Sequence, residues 1–244
     1  MSSSLALIHA QVERRIPGAL RSFQRCAGEA LNTGIAAIDE YGIRTAALSQ
    51  ICATPEYSSG KTSVMVSLLS HVTAEAFCAL IDANDCFDPA SAERSGVRLD
   101  RLLWVRCART SKPERGLRLS PLEQAFKAAD ILLQNGGFRL IAVDLGDVTE
   151  RALRKVPLTT WFRFARVVEK TETALLFLSA YPAAQSCAGL TLDTRIVEAC
   201  WFPSDSSHAH LLNVTRHEIA VARQRSKKEP QSVQPVFQAT PKWA

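Results

Sequence analysis

The sequence predicts an α/β fold in which a mostly parallel sheet is covered by helices on both faces. Three observations lead to this prediction. Short, almost entirely apolar runs recur along the chain, segments with helical spacing separate them, and polar residues follow the runs. Strands that are apolar on both faces are typical of a parallel sheet buried between two layers of helices. Ligands of such sheets bind at the carboxyl ends of the strands.

The strands are predicted from the apolar runs alone. They are residues 46–53, 78–83, 102–107, 140–145 and 174–178. An interior strand of a parallel sheet reads as a continuous apolar run because helices cover both of its faces. Each run therefore predicts one buried strand.

Helices are predicted between these runs from apolar spacing and capping signals. Ser120 and Glu123 form a capping box with Pro121 between them, and the Asn-Gly-Gly sequence at 135–137 ends the helix that they begin. The other predicted helices follow Thr62 or cover residues 90–95 and 160–169.

The stretch Ser58, Ser59, Gly60, Lys61 and Thr62 lies between the first strand and the first helix. This order is typical of a phosphate-binding loop, in which backbone N–H groups at a helix N-terminus surround phosphate oxygens. Lys61 would contact the terminal phosphates, and the Thr62 hydroxyl would bind Mg²⁺. The full motif has glycine where this chain has Pro55, and a Gly-Lys-Thr triplet can also begin an ordinary helix.

Two aspartates follow apolar runs that we predict to be strands. Asp82 and Asp144 would lie at the same sheet edge as the phosphate-binding stretch, because carboxyl ends of parallel strands meet there. Each aspartate could equally be a polar residue that closes a strand. The sequence therefore predicts that these groups converge but leaves their role open.

The composition is that of a folded protein without a membrane-spanning segment. The chain has 244 residues, 47% of them hydrophobic, and a formal net charge of +5, which is typical of a folded protein. No apolar run is long enough to span a membrane and the first residues lack a leader pattern, so we expect a cytoplasmic location. We predict an N-terminal helical segment at 1–32, a core at 33–222 and a basic, flexible tail at 223–244.

Several of these motifs together resemble the RecA recombinase core. The SSGKT stretch at 58–62, LIDANDCFDP at 80–89 and LIAVDL at 140–145 are similar to RecA segments in the same order. The resemblance implies a RecA-like P-loop core that binds ATP and Mg²⁺, with Thr62 and Asp144 near the metal. It covers roughly residues 33–220.

The sequence departs from RecA where RecA does its chemistry. Asn84 occupies the position of the glutamate that polarises the attacking water, and an amide cannot accept a proton as a carboxylate does. Asp85 is the one neighbouring substitute. Ser179 and Ala180 replace the nucleotide-sensing Asn-Gln pair. Both DNA-binding loops are shorter than in RecA.

Basic residues remain near the expected DNA-binding loops and in the C-terminal part. Arg216 and Glu218 correspond to two lysines that, in RecA, reach the nucleotide of the neighbouring filament subunit, so one of these charges is reversed. A basic tail can bind nucleic acid or simply be solvated. The predicted single-stranded DNA contacts are Arg151, Arg154, Lys155, Arg216, Arg223 and Arg225.

These losses together are similar to the ImuA branch of RecA-like proteins. The resemblance implies an accessory role in the SOS response, in translesion synthesis with an ImuB-like inactive Y-family polymerase relative and an error-prone replicative-type polymerase, and contact with RecA itself. The alternative is a divergent DNA-dependent ATPase or recombinase. A third hypothesis is a structural partner protein without a nucleotide.

Overall fold

The computed structural model describes residues 28–53, 59–107, 119–146, 148–202, 211–224 and 235–240. Its main feature is an 8-stranded sheet, with a small two-stranded ribbon of β1 (Ala30–Leu31) and β2 (Ile43–Arg44) beside it. The strands of the main sheet are β3 (Ala47–Cys52), β4 (Cys78–Asp82), β5 (Leu102–Arg106), β6 (Leu140–Asp144), β7 (Ala174–Ser179), β8 (Leu190–Trp201), β9 (Leu212–Gln224) and β10 (Val236–Ala239).

The strand order is β10-β9-β8-β3-β7-β6-β4-β5. All neighbours from β8 to β5 pair in parallel, and β8, β9 and β10 pair antiparallel. The five apolar runs of the sequence all form parallel strands at the centre of this sheet or at its β5 edge. The predicted α/β class with a mostly parallel sheet is therefore confirmed.

Helices cover both faces of the sheet. They are α1 (Ala36–Asp39), α2 (Lys61–Thr73), α3 (Pro89–Arg94), α4 (Pro121–Asn135), α5 (Glu150–Arg154) and α6 (Leu158–Val168). The predicted capping box at Ser120 is present: its hydroxyl accepts from the Glu123 N–H, and the Glu123 carboxylate accepts from the Ser120 N–H. Local capping signals thus determine where α4 begins.

Alternate residues of the central strands point into two separate cores. Leu80, Ala142 and Leu176 pack on the side of α2, whereas Ile81, Val143 and Phe177 pack on the side of α4 and α6. This alternation follows from the two-residue period of a strand. On the second side, Phe177 contacts a cluster of aromatic rings from α4 and α6 that includes the fully buried Trp161.

The structure adds one observation at each of two predicted boundaries. Val236–Ala239 lies within the predicted flexible tail, yet it forms β10 and pairs with β9 because Phe237 is buried in the α2 core. Ordered structure also begins before the predicted core boundary at 33, since β1 pairs with β2. The predicted N-terminal helical segment lies almost entirely outside the described residues, as do most other residues of the predicted tail.

Short α5 and the antiparallel strands β8, β9 and β10 extend the fold beyond the elements that we placed from the sequence. Within the ranges that the structure describes, no helix has the length and apolar character needed to cross a bilayer.

Candidate functional site

The predicted phosphate-binding stretch lies at the N-terminus of α2. Gly60 is the N-cap residue in a left-handed conformation, with φ of 76° and ψ of −3°. Lys61 and Thr62 form the first turn, where backbone N–H groups have no partner within the helix. Ser58 lies outside the described residues, so the observed part of the stretch is Ser59 to Thr62. A helix of 13 residues begins where an anion would be bound.

The two predicted aspartates lie side by side at the carboxyl ends of β4 and β6, where Asp82 and Asp144 are register partners. Asp82 is buried, and its oxygens accept the backbone N–H groups of Asn84 and Phe87 at 3.1 and 2.9 Å. Asp82 therefore shapes the turn after β4. Asp144 is half-buried, and one of its oxygens accepts the Gly146 N–H at 2.9 Å.

A cavity of about 580 Å³ extends along the exposed side of α2. Thr62 and Asp144 both line it, so the N-terminus of α2 and the end of β6 border the same cavity, whereas Asp82 does not line it. Its other walls come from the segment after β4 and from the C-terminal strand. They include Cys86, Phe87, Asp88, Ser91, Phe237, Gln238, Ala239 and Thr240. Lys61 is not among the lining residues, although its charge lies close enough to act on the pKa of Cys52 at the end of β3.

The donor set at the cavity fits a magnesium-bound nucleotide. Mg²⁺ in proteins is usually bound by only a few protein oxygen atoms, such as those of a hydroxyl and a carboxylate. Phosphate oxygens and water molecules complete its coordination shell. Over the described ranges, the His, Cys, Asp and Glu side chains form no cluster of three or more that could hold a metal ion alone. Thr62 and Asp144 would thus bind Mg²⁺ only together with a phosphate ligand.

Asn84 is used as a structural tether. Its side-chain N–H group donates to the carbonyl of Leu145 at 3.1 Å and so links the turn after β4 to the turn after β6. A Cβ atom at Gly146 would lie 2.2 Å from the Asn84 amide nitrogen, and this contact and the positive φ of 41° both favour glycine there. This amide does not line the cavity. The residue at the expected catalytic position is therefore occupied with holding two strand ends together.

Asp85, the substitute base, is engaged elsewhere. Its carboxylate binds Arg106 in a bidentate pair, with oxygen-to-nitrogen distances of 2.5 and 2.6 Å. The hydrogen bonds from Arg106 lower the pKa of Asp85, which makes the carboxylate a weaker base. Its backbone is left-handed, with φ of 58°, and Asp85 does not line the cavity. The geometry thus offers no general base at Asp85.

The short loop after β7 is fixed by a buried glutamine. Gln50 donates to the Ser179 hydroxyl and to the Tyr181 carbonyl at 2.8 and 3.0 Å, and accepts the Ala184 N–H at 3.1 Å. Ser179, at the position of the expected nucleotide sensor, also donates to the Tyr181 carbonyl. The Ser179 hydroxyl therefore makes its hydrogen bonds with Gln50 and with the loop itself.

Replacing Gln50 with alanine should lower the free energy of unfolding by about 2 to 3 kcal/mol, because buried polar groups of the loop lose their partners. Urea denaturation followed by circular dichroism measures this change. The exposed Gln134 of α4 provides a control, and its replacement by alanine should cost less than about 0.5 kcal/mol. Equal effects of the two substitutions would contradict the role given to Gln50.

The predicted DNA contacts divide into two groups. Arg151, Arg154 and Lys155 are exposed on or directly after α5. The Arg154 guanidinium pairs with Glu150 and lies 4.5 Å from the centre of the Tyr181 ring. The shortened loops thus meet in one small basic and aromatic surface, at the same sheet edge as the cavity.

The second group lies on β9. Arg216 pairs with Glu198 at 3.0 Å, and Glu218 forms an ion pair with Arg195. These pairs neutralise the outer face of the β8–β9 ribbon. Arg223 is exposed near the end of β9, and Arg225 lies outside the described residues.

His217 and Phe237 are site residues that the sequence did not indicate. Both are buried, and their rings stack at 4.9 Å with an angle of 21° directly against Gly60. Burial lowers the pKa of His217, an effect that the Ser59 backbone opposes. No apolar alternation in the sequence could have indicated this part of β9, because two of its buried residues, Thr215 and His217, are polar.

Comparison with known proteins places the chain among RecA sequences. Residues 18–152 match the model of the RecA N-terminal domain. Protein RecA of Desulfotalea psychrophila is 33% identical over 141 residues, which is 50% of this chain and 35% of that protein. Protein RecA of Cutibacterium acnes is 40% identical over 88 residues, 36% of this chain and 22% of that protein. The chain thus matches about a third or less of the length of these relatives.

Proposed function

Because the chain belongs to the RecA family, as the match over residues 18–152 establishes, we propose that it is a RecA-fold accessory protein of the bacterial DNA-damage response. In this proposal it supports error-prone translesion synthesis. It binds ATP with Mg²⁺ and hydrolyses the nucleotide weakly or not at all. The observation that carries the proposal is a phosphate-side cavity with Thr62 and Asp144 in place and an amide, Asn84, where the general base is expected.

Nucleotide binding is supported by three groups that act on the phosphates. The N-terminus of α2 supplies backbone N–H groups, Lys61 supplies a positive charge, and Thr62 with Asp144 supplies oxygen ligands for Mg²⁺. The cavity continues past Thr62 between the segment after β4 and β10, where a nucleoside could be accommodated. A volume of about 580 Å³ is within the usual range of small-molecule pockets.

Weak or absent hydrolysis is supported by the state of the two candidate bases. The Asn84 amide donates to a backbone carbonyl, and the Asp85 carboxylate is held by Arg106 with a lowered pKa. Phosphoryl transfer to water needs a group that orients and deprotonates the water. Neither side chain supplies that function in this geometry. The bound nucleotide would therefore act as a structural ligand or a signal.

A magnesium titration tests the nucleotide site. Wild-type protein should bind a fluorescent ATP analogue more tightly when Mg²⁺ is present. In Asp144→Ala this dependence on Mg²⁺ should largely disappear, because the metal would lose the Asp144 carboxylate as a ligand. Asp100, an exposed aspartate paired with Arg98, provides a matched control as Asp100→Ala. If the affinity of Asp144→Ala for the analogue depends on Mg²⁺ as strongly as that of wild type, Asp144 is not a ligand of the metal.

The proposed partners follow from the ImuA resemblance. They are an ImuB-like inactive Y-family polymerase relative, an error-prone replicative-type polymerase and RecA. The ion pairs at Arg216 and Glu218 favour such protein contacts over a RecA-type filament, because the described cations of this face, Arg195 and Arg216, are each paired with a carboxylate of the same chain. Co-purification of the chain with a co-expressed ImuB-like protein tests this part.

The second candidate function is single-stranded DNA binding by a divergent recombinase or DNA-dependent ATPase. The observation that favours DNA contact is the surface formed by Arg151, Lys155 and the Arg154–Tyr181 pair, which combines phosphate-binding cations with an aromatic ring.

The Arg151→Ala/Lys155→Ala double variant tests DNA contact. Its binding to oligonucleotides should be weaker, and the slope of log K against log salt should fall by about 1 to 2 units, since each lost phosphate contact contributes about 0.7 on single strands. The Arg166→Ala/Lys170→Ala variant removes two exposed cations of the α6 region and should leave the slope unchanged. Equal slopes in all three proteins would contradict DNA binding at this surface.

A further inference from the structure

The stacked rings of His217 and Phe237 form a wall behind the phosphate-binding stretch. A Cβ atom at Gly60 would lie 2.8 Å from Cγ and Nδ1 of His217 and 2.8 Å from Cζ of Phe237. Such distances are far inside van der Waals contact, so glycine is required at this position by the wall as well as by its positive φ. The N-cap residue of α2 thus lies directly against the rings of β9 and β10.

The wall is itself anchored by pairing within the antiparallel part of the sheet. Phe237 of β10 and His217 of β9 are register partners. Thr215 bonds the His217 Nε2 atom at 2.8 Å and also donates to the Ala239 carbonyl at 3.3 Å, and the Ile219 N–H donates to the Pro235 carbonyl at 2.9 Å. These contacts hold the His217 ring at a fixed position over Gly60.

We propose that Phe237 and His217 are positioning residues of the nucleotide site, and that β10 is a part of that site which the occupied phosphate stretch stabilises. This inference rests on the proposed binding of ATP and adds a linkage between the nucleotide and the C-terminal strand. Phe237 also lines the cavity, as do its neighbours Gln238, Ala239 and Thr240. The strand therefore touches the site both at Gly60 and along the cavity wall.

The physical reason is conformational entropy. A glycine in the left-handed region is free to leave it, because glycine has many accessible backbone conformations. A phosphate ligand requires the backbone N–H groups that follow Gly60 to point toward the same position. If the loop is mobile before binding, the cost of ordering it reduces the binding free energy. The stacked rings remove the space into which Gly60 would move. By linkage, a ligand that fixes Gly60 must also stabilise β10.

Affinity for a fluorescent ADP analogue tests the positioning role. Phe237→Ala should weaken binding about tenfold, a typical size for the coupling between two linked elements. Phe237→Leu, which keeps an apolar side chain but lacks the ring atom nearest Gly60, should recover only part of the affinity. Val236→Ala changes an exposed residue of the same strand and should leave binding unchanged.

Hydrogen exchange tests the linkage. In wild-type protein, peptides that contain residues 236–239 should exchange more slowly when the ADP analogue is added. If Phe237 only packs the core, the exchange rate of these peptides will not depend on nucleotide. That result would overturn the linkage.

A double-mutant cycle tests the contact itself. Gly60→Ala should shift the urea midpoint of unfolding less in the Phe237→Leu background than in wild type, because Cζ of Phe237, one of the three atoms that collide with the new Cβ, is absent. Additive shifts would contradict the contact.

The outcomes separate the two proposals. If wild-type protein does not bind the ADP analogue, the proposed nucleotide function fails and the positioning role fails with it. If wild type and Phe237→Ala bind equally well, the nucleotide function stands and the positioning role is wrong.

Discussion

Lys61→Ala is expected to lower the affinity for ATP about 100-fold, because hydrogen bonds between charged groups contribute about 1.5 to 3 kcal/mol each. Lys61 is the first residue of α2, where its ammonium group adds to the field of the helix N-terminus. Fluorescence titration with an ATP analogue in the presence of Mg²⁺ measures the change. The effect should be larger for ATP than for ADP, because the lysine is assigned to the terminal phosphates.

The control for this substitution is Lys127→Ala, which removes one exposed lysine from α4. It changes net charge by the same amount, so a general electrostatic effect on the anionic ligand would be equal in both variants. The account predicts that only Lys61→Ala binds weakly. If Lys61→Ala and wild type bind equally, the phosphate-binding assignment of residues 59–62 is wrong, and the structural-partner hypothesis gains support.

Trp161→Ala is expected to have the largest effect on stability, a loss of about 3 to 5 kcal/mol of unfolding free energy. Trp161 is 0% exposed and contacts the rings of Phe126 and Phe177 at 5.3 and 5.0 Å. Its removal leaves a cavity between α4, α6 and the sheet that the surrounding rings cannot fill. Urea or thermal denaturation measures the loss.

The adjacent Phe162 serves as the matched control, because it belongs to the same helix but is 44% exposed. Phe162→Ala should cost less than about 1 kcal/mol. Similar losses for the two variants would mean that the α6 side of the sheet is not the tightly packed core described here.

Much of the parallel part of the fold could be predicted because its signals are local. Continuous apolar runs such as 140–145 identify buried strands, and the Ser120 capping box fixes the start of α4. That Thr62 and Asp144 border one cavity also agrees with sequence reasoning, since the carboxyl ends of parallel strands share one edge of the sheet. These inferences need no knowledge of distant contacts.

The antiparallel part could not be predicted in the same way. The first three residues of β8 are all buried, burial alternates with exposure only in the middle of the strand, and β8 has register shifts against β9. β10 has four residues, and its place depends on one buried side chain, Phe237, against a glycine that is far away in the sequence. A short strand of this kind is determined by tertiary packing, so the segment resembled a tail.

The candidate catalytic position illustrates a second limit. The sequence alone indicates that Asn84 lacks a carboxylate, but not what the amide does instead. The structure adds its bond to the Leu145 carbonyl and its contact with Gly146. It likewise adds the Arg106 partner that engages Asp85. Side-chain pairs of this kind depend on the exact turns after two neighbouring strands, which no sequence pattern specifies.

The most direct test of the central claim is a single comparison of ATP binding with ATP hydrolysis in purified wild-type protein, with and without single-stranded DNA. The account predicts Mg²⁺-dependent binding, with a hydrolysis rate that stays near the uncatalysed background and does not rise with DNA. DNA-stimulated hydrolysis would contradict it. That result would place a general base at the site despite the engagement of Asn84 and Asp85, and would identify the chain as a divergent DNA-dependent ATPase.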